Sequence, residues 1–192
     1  MRTGVFGGSF DPVHFGHLLV AEDAMSVLGL DRVLFVPCPV PPHKPKPKAS
    51  FKDRAAMTKR ALRGRKGLEL SPIESRRPGP HYTADTLAEL RREFPKDSFY
   101  LLVGNDQYQD MARWHEPKRL TRLARIAVIS RPGSEKPRRF PAHPRLRVRF
   151  VEVIPVDISS RLIRARLAKG RSVEYMLPSS VLTYIKQRRL YR

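Results

Sequence analysis

The first 37 residues constrain the fold more than any other part of the chain. Two short apolar runs, Thr3–Gly8 and Asp31–Pro37, have the β-branched and aromatic content of buried strands and stop at glycine or proline. Between them, residues 17–30 have helical spacing, and Gly29 is a plausible helix end. Two strands separated by a single helix form a crossover unit, in which the strands run parallel.

The rest of the chain continues the same alternation. Further strand-like runs cover residues 68–74, 97–106, 125–133 and 145–156. Helical patterns cover residues 50–64, 82–94, 107–124, 159–170 and 178–189, with Ser50 and Thr83 as candidate N-caps and Pro178 near the start of the last one. This predicts an α/β fold with a mainly parallel sheet and helices on both faces. No repeat or linker divides the chain, so we expect one domain over residues 1–192.

Composition excludes several classes of protein. The single cysteine, Cys38, excludes an internal disulfide and a zinc site built from cysteines. No window approaches 18 apolar residues, so the sequence predicts no signal peptide, no membrane partner and a cytoplasmic location. Against 18 acidic residues the chain has 38 Lys and Arg, for a formal net charge of +20, which attracts polyanions. Because the basic residues are dispersed, they favour many solvated faces over one nucleic-acid patch, and no specific nucleic-acid partner is expected.

In a parallel α/β sheet, ligands bind beyond the carboxyl ends of the strands, so the segments after the strands matter most. The first is GGSFDPVHFGH. Gly7 and Gly8 allow a sharp turn with open N–H groups, and the following helix start favours an anion. His14 and His17 lie three residues apart and can face one phosphate. A metal site is the rival interpretation, but no third ligand is evident nearby. The glycine spacing matches neither a Walker loop nor a dinucleotide fingerprint.

A second anion-binding pattern lies near the other end of the chain, in ISSRLIRAR. Ser159 is a candidate helix cap, and Arg164 lies one turn from Ser160, so both can reach one anion at the helix start. Taken alone, the stretch is equally compatible with an ordinary capped basic helix.

Together these two stretches resemble a known family. GGSFDPVHFGH is similar to the (H/T)-x-G-H signature of nucleotidyltransferases, and ISSRLIR is similar to their second signature. PPHK, HYTADTL, GNDQYQDMARWHEPKRL and SRPG also occur in the order typical of bacterial nicotinate-nucleotide adenylyltransferases. The resemblance covers nearly the whole chain. It implies a Rossmann-like, doubly wound sheet and the reaction of ATP with nicotinate mononucleotide to give deamido-NAD and pyrophosphate. The chain departs from the family at Arg161, where Thr or Ser is usual, and at Pro80-His81 before Tyr82, where a serine is common.

The resemblance also implies roles for particular residues. His14, His17 and Arg164 would be catalytic. The implied ATP contacts are Gly7, Gly8, Ser9, Phe10, His14, His17, Gly104, Asp106, Ser159, Ser160 and Arg164. The implied contacts to nicotinate mononucleotide are Lys44, Tyr82, Thr83, Trp114 and Arg131. Mg²⁺ would be carried by the ATP phosphates, so no metal ligand from the protein is expected. For Asp11 we favour a turn-closing role over a catalytic one.

Two alternatives remain at this point. One is a related adenylyltransferase acting on phosphopantetheine or on nicotinamide mononucleotide, against which HYTADTL and Trp114 favour nicotinate. The other is a basic nucleic-acid-binding module, but the basic stretches have few of the aromatic residues that base stacking requires. The sequence leaves a homo-oligomer open.

Overall fold

A computed structural model describes residues 1–41, 45–130 and 148–192. Its strands are β1 (Arg2–Gly8), β2 (Arg32–Pro37), β3 (Leu68–Leu70), β4 (Ser98–Gly104), β5 (Arg125–Ser130) and β6 (Val148–Glu152). Its α-helices are α1 (Phe15–Leu28), α2 (Phe51–Leu62), α3 (Thr83–Glu93), α4 (Asn105–Asp110), α5 (Pro117–Leu123), α6 (Ser160–Ala168) and α7 (Ser179–Gln187). Short 3₁₀ turns cover Ile73–Arg76 and Met111–Arg113.

The six strands form one parallel sheet in the order β3-β2-β1-β4-β5-β6. The strand order reverses between β1 and β4, which are paired from Arg2 with Ser98 to Val5 with Leu101. This is the doubly wound arrangement that the alternation of strands and helices predicts, and the prediction is confirmed. In such a sheet the crevice beyond the carboxyl ends of the two central strands is the expected ligand site.

Helices cover both faces of the sheet. On one face, residues of α1, α2, α6 and α7 pack into a core that includes Leu18, Met57, Ile163 and Val181. On the other face, α3, α4 and α5 pack against alternate strand residues. Successive strand residues point to opposite faces, which explains why β1 and β4 are apolar on both sides.

Two local predictions from the sequence were wrong. The run at residues 68–74 is a strand only over Leu68–Leu70, because Pro72 has no N–H to continue a ladder and a 3₁₀ turn follows. Thr83 is not the N-cap of α3 but its first helical residue, and Tyr82 is the cap. Other ends agree with the prediction: Ser50 caps α2 by accepting from the Asp53 N–H, and Gly29 ends α1 at a φ of 58°.

None of the helices in the described ranges is long and apolar enough to cross a membrane.

Candidate active site

Two cavities open at the carboxyl ends of β1, β4 and β5. The first, the histidine cavity, has a volume of about 570 Å³ and is lined by His14, His17 and the start of α4. The second, the tryptophan cavity, has a volume of about 380 Å³ and is lined by the start of α3 and by Trp114. Asp106 lines both, so the two cavities adjoin at the end of β4.

The start of α1 presents two histidines to the histidine cavity. His14 is the N-cap of the helix, and its imidazole ring stacks on that of His17 with centroids 3.7 Å apart. The His14 backbone N–H donates to Nδ1 of His17 at 3.2 Å. A nitrogen that accepts a hydrogen bond carries no proton, so this bond keeps the His17 ring proton on Nε2.

The residue before His17, Gly16, is a glycine for a steric reason. A Cβ atom there would lie 3.1 Å from Nδ1 of His14 and 3.5 Å from the Ile158 carbonyl oxygen. Without that atom, the His14 ring packs against the helix start and is only 5% exposed. Burial lowers the pKa of His14 to about 4, so the ring is neutral at pH 7.

The turn that follows β1 is arranged around Phe10. Phe10 has a φ of 48°, and its ring is buried among Phe6, Phe35 and His17. A Cβ at Gly8 would lie 3.0 Å from that ring, whereas a Cβ at Gly7 would meet nothing within 4 Å. Gly7 therefore faces open space. The structure places Gly7, Gly8 and Ser9 on the tryptophan cavity, and Phe10 on neither cavity.

Asp11 connects several segments around the turn. Its buried carboxylate accepts the backbone N–H groups of Lys48 and Ala49 at 2.7 and 3.0 Å and the Tyr191 hydroxyl at 2.7 Å. Arg164 lies 3.6 Å from the same carboxylate. These contacts agree with the turn-closing role that the sequence favours.

Helix α6 carries the second signature and packs against this turn. Ser159 caps α6 by accepting from the Leu162 N–H, and the Ser160 hydroxyl donates to the Pro12 carbonyl at 2.8 Å. Arg164 donates to the Asp11 carbonyl at 2.5 Å. These three residues line neither cavity, but they join α6 to the turn that leads into His14.

The end of β4 contributes Gly104 and Asp106. A Cβ at Gly104 would lie 2.7 Å from an Asp106 carboxylate oxygen, so the glycine allows that carboxylate to fold back over the strand end. Both residues line the histidine cavity, and the nucleotide contact that the resemblance implies for them stays a prediction.

The tryptophan cavity contains the start of α3. The N–H groups of Asp85 and Thr86 bond to the Tyr82 carbonyl, whereas Thr83 and Ala84 precede the first intrahelical bond. Helix N–H groups of this kind, at the positive end of the helix dipole, suit a carboxylate. The Tyr82 ring stacks on His115 at 4.1 Å.

Trp114 lies on the same cavity and is half-buried, with one side packed against the apolar core beneath α3 and α5. This position is compatible with the ligand contact that the resemblance implies for Trp114, which stays a prediction. Two other residues predicted for this ligand, Lys44 and Arg131, lie outside the described residues.

Comparison with known proteins agrees with this geometry. A family model described as cytidylyltransferase-like matches residues 5–166. A Thermus thermophilus protein named as a probable nicotinate-nucleotide adenylyltransferase is 46% identical over 195 residues, covering 100% of both chains. One of the same name from Thermomicrobium roseum is 44% identical, covering 100% of this chain and 92% of that one. This chain belongs to the nicotinate-nucleotide adenylyltransferase family.

The fold agrees with that family. The solved nicotinic acid mononucleotide adenylyltransferase of Plasmodium falciparum, complexed with NaAD, superposes with a TM-score of 0.80, covering 99% of this chain and 97% of that one at 22% identity. Because the identity is only 22%, this similarity supports the Rossmann-like fold of the chain and carries no argument about individual residues.

Beneath the tryptophan cavity lies a polar network that sequence reasoning missed. Glu74 is 6% exposed and accepts the Thr86 hydroxyl at 2.7 Å, and Arg77 donates to that same hydroxyl at 2.8 Å. Burial raises the pKa of Glu74, and it also raises that of the neighbouring Cys38 thiol. The nearby His81 is 5% exposed, and burial lowers its pKa. The sequence marks His81 only as a departure from the family pattern.

Proposed function

We propose that the histidine cavity binds ATP and that the tryptophan cavity binds nicotinate mononucleotide, so that the adenylyl group passes between them near Asp106. The product is nicotinate adenine dinucleotide, with pyrophosphate as the leaving group. The observation that carries the proposal is the pair of adjoining cavities at the switch point of the sheet. One opens on a helix start with two histidines, and the other opens on a helix start with a tryptophan.

The reaction needs positioning and charge stabilisation and no nucleophilic side chain. An oxygen of the mononucleotide phosphate attacks the α-phosphorus of ATP in line. A new P–O bond forms there, and the bond from the α-phosphorus to the bridging oxygen breaks and releases pyrophosphate. Negative charge grows on the α-phosphate oxygens and on the leaving group, which is where donors lower the barrier.

The start of α1 supplies donors for that charge. We assign the Nε2–H of His17, whose tautomer is set by the bond at Nδ1, to an α-phosphate oxygen. The His14 ring is neutral at pH 7, so it would donate to a phosphate through a single ring N–H. Gly104 and Asp106 would hold the adenosine ribose, while the backbone of Gly7, Gly8 and Ser9, on the tryptophan cavity, would border the reacting phosphates. Phe10, which lines neither cavity, would shape this turn and not contact ATP directly.

Helix α6 would hold the β- and γ-phosphates through Ser159, Ser160 and Arg164. Arg164 uses one N–H on the Asp11 carbonyl, and a guanidinium has five such donors. Its remaining donors suit the planar recognition of phosphate. The leaving pyrophosphate would then be held by the same side chain that positions the turn before His14.

Magnesium enters this scheme with the nucleotide. In residues 1–41, 45–130 and 148–192 no group of three or more His, Cys, Asp and Glu side chains is placed to hold a metal. Asp11 already accepts three hydrogen bonds, which suits it poorly as a ligand. Mg²⁺ carried by phosphate oxygens and water would neutralise charge on the phosphate chain.

The pyridine ring would stack on Trp114, with its carboxylate on the Thr83 and Ala84 N–H groups at the start of α3. Tyr82, stacked on His115, closes the side of this cavity. A nicotinamide group in the same place would turn its NH₂ donors toward N–H donors. Lys44 and Arg131 remain predicted contacts to the mononucleotide phosphate.

The decisive test is an assay of pyrophosphate release with ATP, Mg²⁺ and either nicotinate or nicotinamide mononucleotide. We expect nicotinate mononucleotide to be preferred by at least about 100-fold in kcat/KM, since a site built for hydrogen bonding rejects a mismatched group strongly. Trp114→Ala should raise KM for the mononucleotide and leave KM for ATP nearly unchanged. Equal kcat/KM with both mononucleotides would mean that the start of α3 does not recognise the carboxylate. No pyrophosphate release with either mononucleotide would contradict the proposed function.

A further inference from the structure

A basic cavity lies at the opposite end of the sheet from both substrate cavities. It has a volume of about 290 Å³, and its basic lining residues are Arg2, Arg125 and Arg149. Arg2 and Arg125 begin β1 and β5, and Arg149 is the second residue of β6. Parallel strands begin at one edge of a sheet, so the topology brings these three cations together. We refer to this site as the amino-end cavity.

A buried tyrosine lies at the centre of the amino-end cavity. Arg2 and Arg125 both donate to the Tyr100 hydroxyl oxygen, at 3.2 and 2.7 Å, and Tyr100 is only 3% exposed. These two bonds occupy the acceptor sites of that oxygen, which leaves its own proton to donate. No acceptor for this proton is found among the described residues. Although burial disfavours the phenolate, the two arginines lower the pKa of Tyr100.

In the part of the chain that the structure describes, the guanidinium groups of these three arginines have no acidic side-chain partner, although the Asp31 carboxylate accepts from the Arg2 backbone N–H at 2.7 Å. Within the described ranges, no carboxylate oxygen lies within 4.0 Å of the side-chain nitrogens of Arg2, Arg125 or Arg149, whereas Arg32 on the neighbouring strand pairs with both Glu69 and Asp97. Converging cations without acidic partners repel one another in the absence of an anion, and an anion between them would relieve that repulsion.

The glycine at the end of α1 leaves space for the Arg2 side chain. Gly29 has a φ of 58°, and a Cβ there would lie 3.1 Å from an Arg2 guanidinium nitrogen. The glycine that ends α1 therefore also makes room for the Arg2 side chain. Both of these features favour glycine at this position.

One wall of the amino-end cavity is apolar. It is formed by Val27 and Leu28 at the end of α1; Phe150 of β6 borders the same cavity, but its ring contacts Tyr108 on the other face of the sheet. Val27 is 60% exposed, so much of its apolar surface faces solvent. A ligand ring laid against these side chains would remove that surface from water.

We propose that the amino-end cavity is a second ligand site, which binds a small phosphorylated molecule with an aromatic or apolar group. Its phosphate oxygens accept from Arg2, Arg125 and Arg149 and from the Tyr100 hydroxyl, and its ring lies on Val27. Guanidinium groups bind phosphate through paired N–H donors, which fits three arginines around one anion. The volume lies near the lower limit of ligand pockets, about 300 Å³, which suits a small molecule.

The test is a titration of ¹⁵N-labelled protein with phenyl phosphate and with inorganic phosphate, following the arginine Nε–Hε signals by NMR at about 0.15 M salt. We expect the Arg2 and Arg125 signals to shift with both probes. Phenyl phosphate should bind about 10-fold more tightly, because its ring gains apolar contact. The Arg164 signal reports phosphate at the candidate active site, so the two sites are read separately.

Variants separate the site from general charge. Arg125→Gln should weaken phenyl phosphate binding at the Arg2 signal by about 10-fold or more, and Tyr100→Phe should weaken it less, because only one donor is lost. Arg92→Gln, a change at an exposed arginine of α3, is the matched control and should leave binding unchanged. Neither Arg125→Gln nor Tyr100→Phe should alter adenylyl transfer.

Three results would overturn the proposal. The first is that the Arg2 and Arg125 signals stay unshifted while the Arg164 signal responds. The second is that Arg92→Gln weakens binding as much as Arg125→Gln does. The third is that a mixed-sequence single-stranded oligonucleotide shifts the Arg2 signal at lower concentration than phenyl phosphate, which would make the surface a nucleic-acid contact instead.

Discussion

Arg54 is a single buried side chain that holds three loops near the candidate active site. It is 1% exposed and donates to the carbonyl oxygens of Ser9, Pro39 and Ala49, at 2.6, 3.1 and 3.3 Å. Ser9 follows β1, while Pro39 and Ala49 flank the segment that contains Lys44, a predicted contact to the mononucleotide. The planar guanidinium reaches all three carbonyls at once, which one ammonium group does not.

Arg54→Lys should therefore lower the free energy of unfolding by about 3 kcal/mol, because buried carbonyl groups lose their donors and a buried charge loses partners. Urea unfolding measures this change. Arg63→Lys, at an exposed position next to the same helix, is the control and should stay within about 0.5 kcal/mol of the original chain. A similar loss in both variants would mean that arginine itself, and not its three contacts, is responsible.

Burial of His14 makes the free energy of unfolding depend on pH. Burial lowers its pKa from 6.5 to about 4, so the folded state favours the neutral ring. A group of this kind contributes stability above the unfolded pKa of 6.5 and loses it as pH falls toward 4. The full shift corresponds to about 3 kcal/mol.

His14→Asn should consequently flatten the fall in unfolding free energy between pH 6.5 and 4. Urea midpoints across this range measure the slope. His81 shifts in the same direction, so some slope remains in the variant. His115→Asn, which changes a more exposed ring, should retain the steep profile, and an unchanged slope in His14→Asn would contradict the buried neutral state.

At the scale of elements, helix α6 joins the proposed phosphate contact of Arg164 to the turn before α1. Arg164→Ala removes both the proposed phosphate contact and the bond to the Asp11 carbonyl. We expect KM for ATP to rise about 10-fold or more, the scale of a lost charge-assisted bond, with a much smaller change for the mononucleotide. Steady-state kinetics with each substrate varied in turn measure the two effects. Arg161→Ala, in the same helix at an exposed position, is the comparison. Equal losses for both substrates in Arg164→Ala would point to a general structural role.

The elements were largely predictable because alternating strands and helices leave strong patterns in sequence. The errors lie where one residue decides the outcome. Pro72 ends β3 after Leu70, and Tyr82 takes the cap position next to Thr83, although its side chain makes no cap bond. Hydrophobic spacing carries little information about such ends.

The candidate site was predictable only where a motif marks it. His14, His17 and Trp114 stand out in the sequence, and the structure places them on the two cavities. Arg54 and Glu74 do not stand out, because a charged residue in a helix or turn normally faces water and its burial depends on distant segments. The contact between Tyr191 and Asp11 joins residues 180 positions apart, which local pattern does not reveal.

At the scale of the whole molecule, the net charge of +20 acts on both substrates, which are anions. A positive surface raises the rate at which they meet the site, and salt screens it over about 10 Å at 0.1 M ionic strength. The rate at which substrate meets the enzyme contributes to kcat/KM but not to kcat. Salt should therefore lower kcat/KM and leave kcat nearly unchanged. We expect the same charge to bind RNA weakly and without sequence preference.

We therefore expect kcat/KM for both substrates to fall by about 10-fold between roughly 20 and 300 mM KCl, while kcat at saturating substrate changes less than about twofold. RNA affinity, measured by fluorescence anisotropy over the same salt range, should fall much more steeply, since an RNA strand engages many basic residues at once and a mononucleotide engages few. Two RNA strands of equal length and different sequence serve as the control and should bind alike. Tight binding of only one strand at physiological salt would make the basic surface a specific nucleic-acid site. An unchanged kcat/KM would instead mean that the dispersed charges contribute solubility and no steering, with substrate capture left to the two helix starts at the carboxyl edge of the sheet.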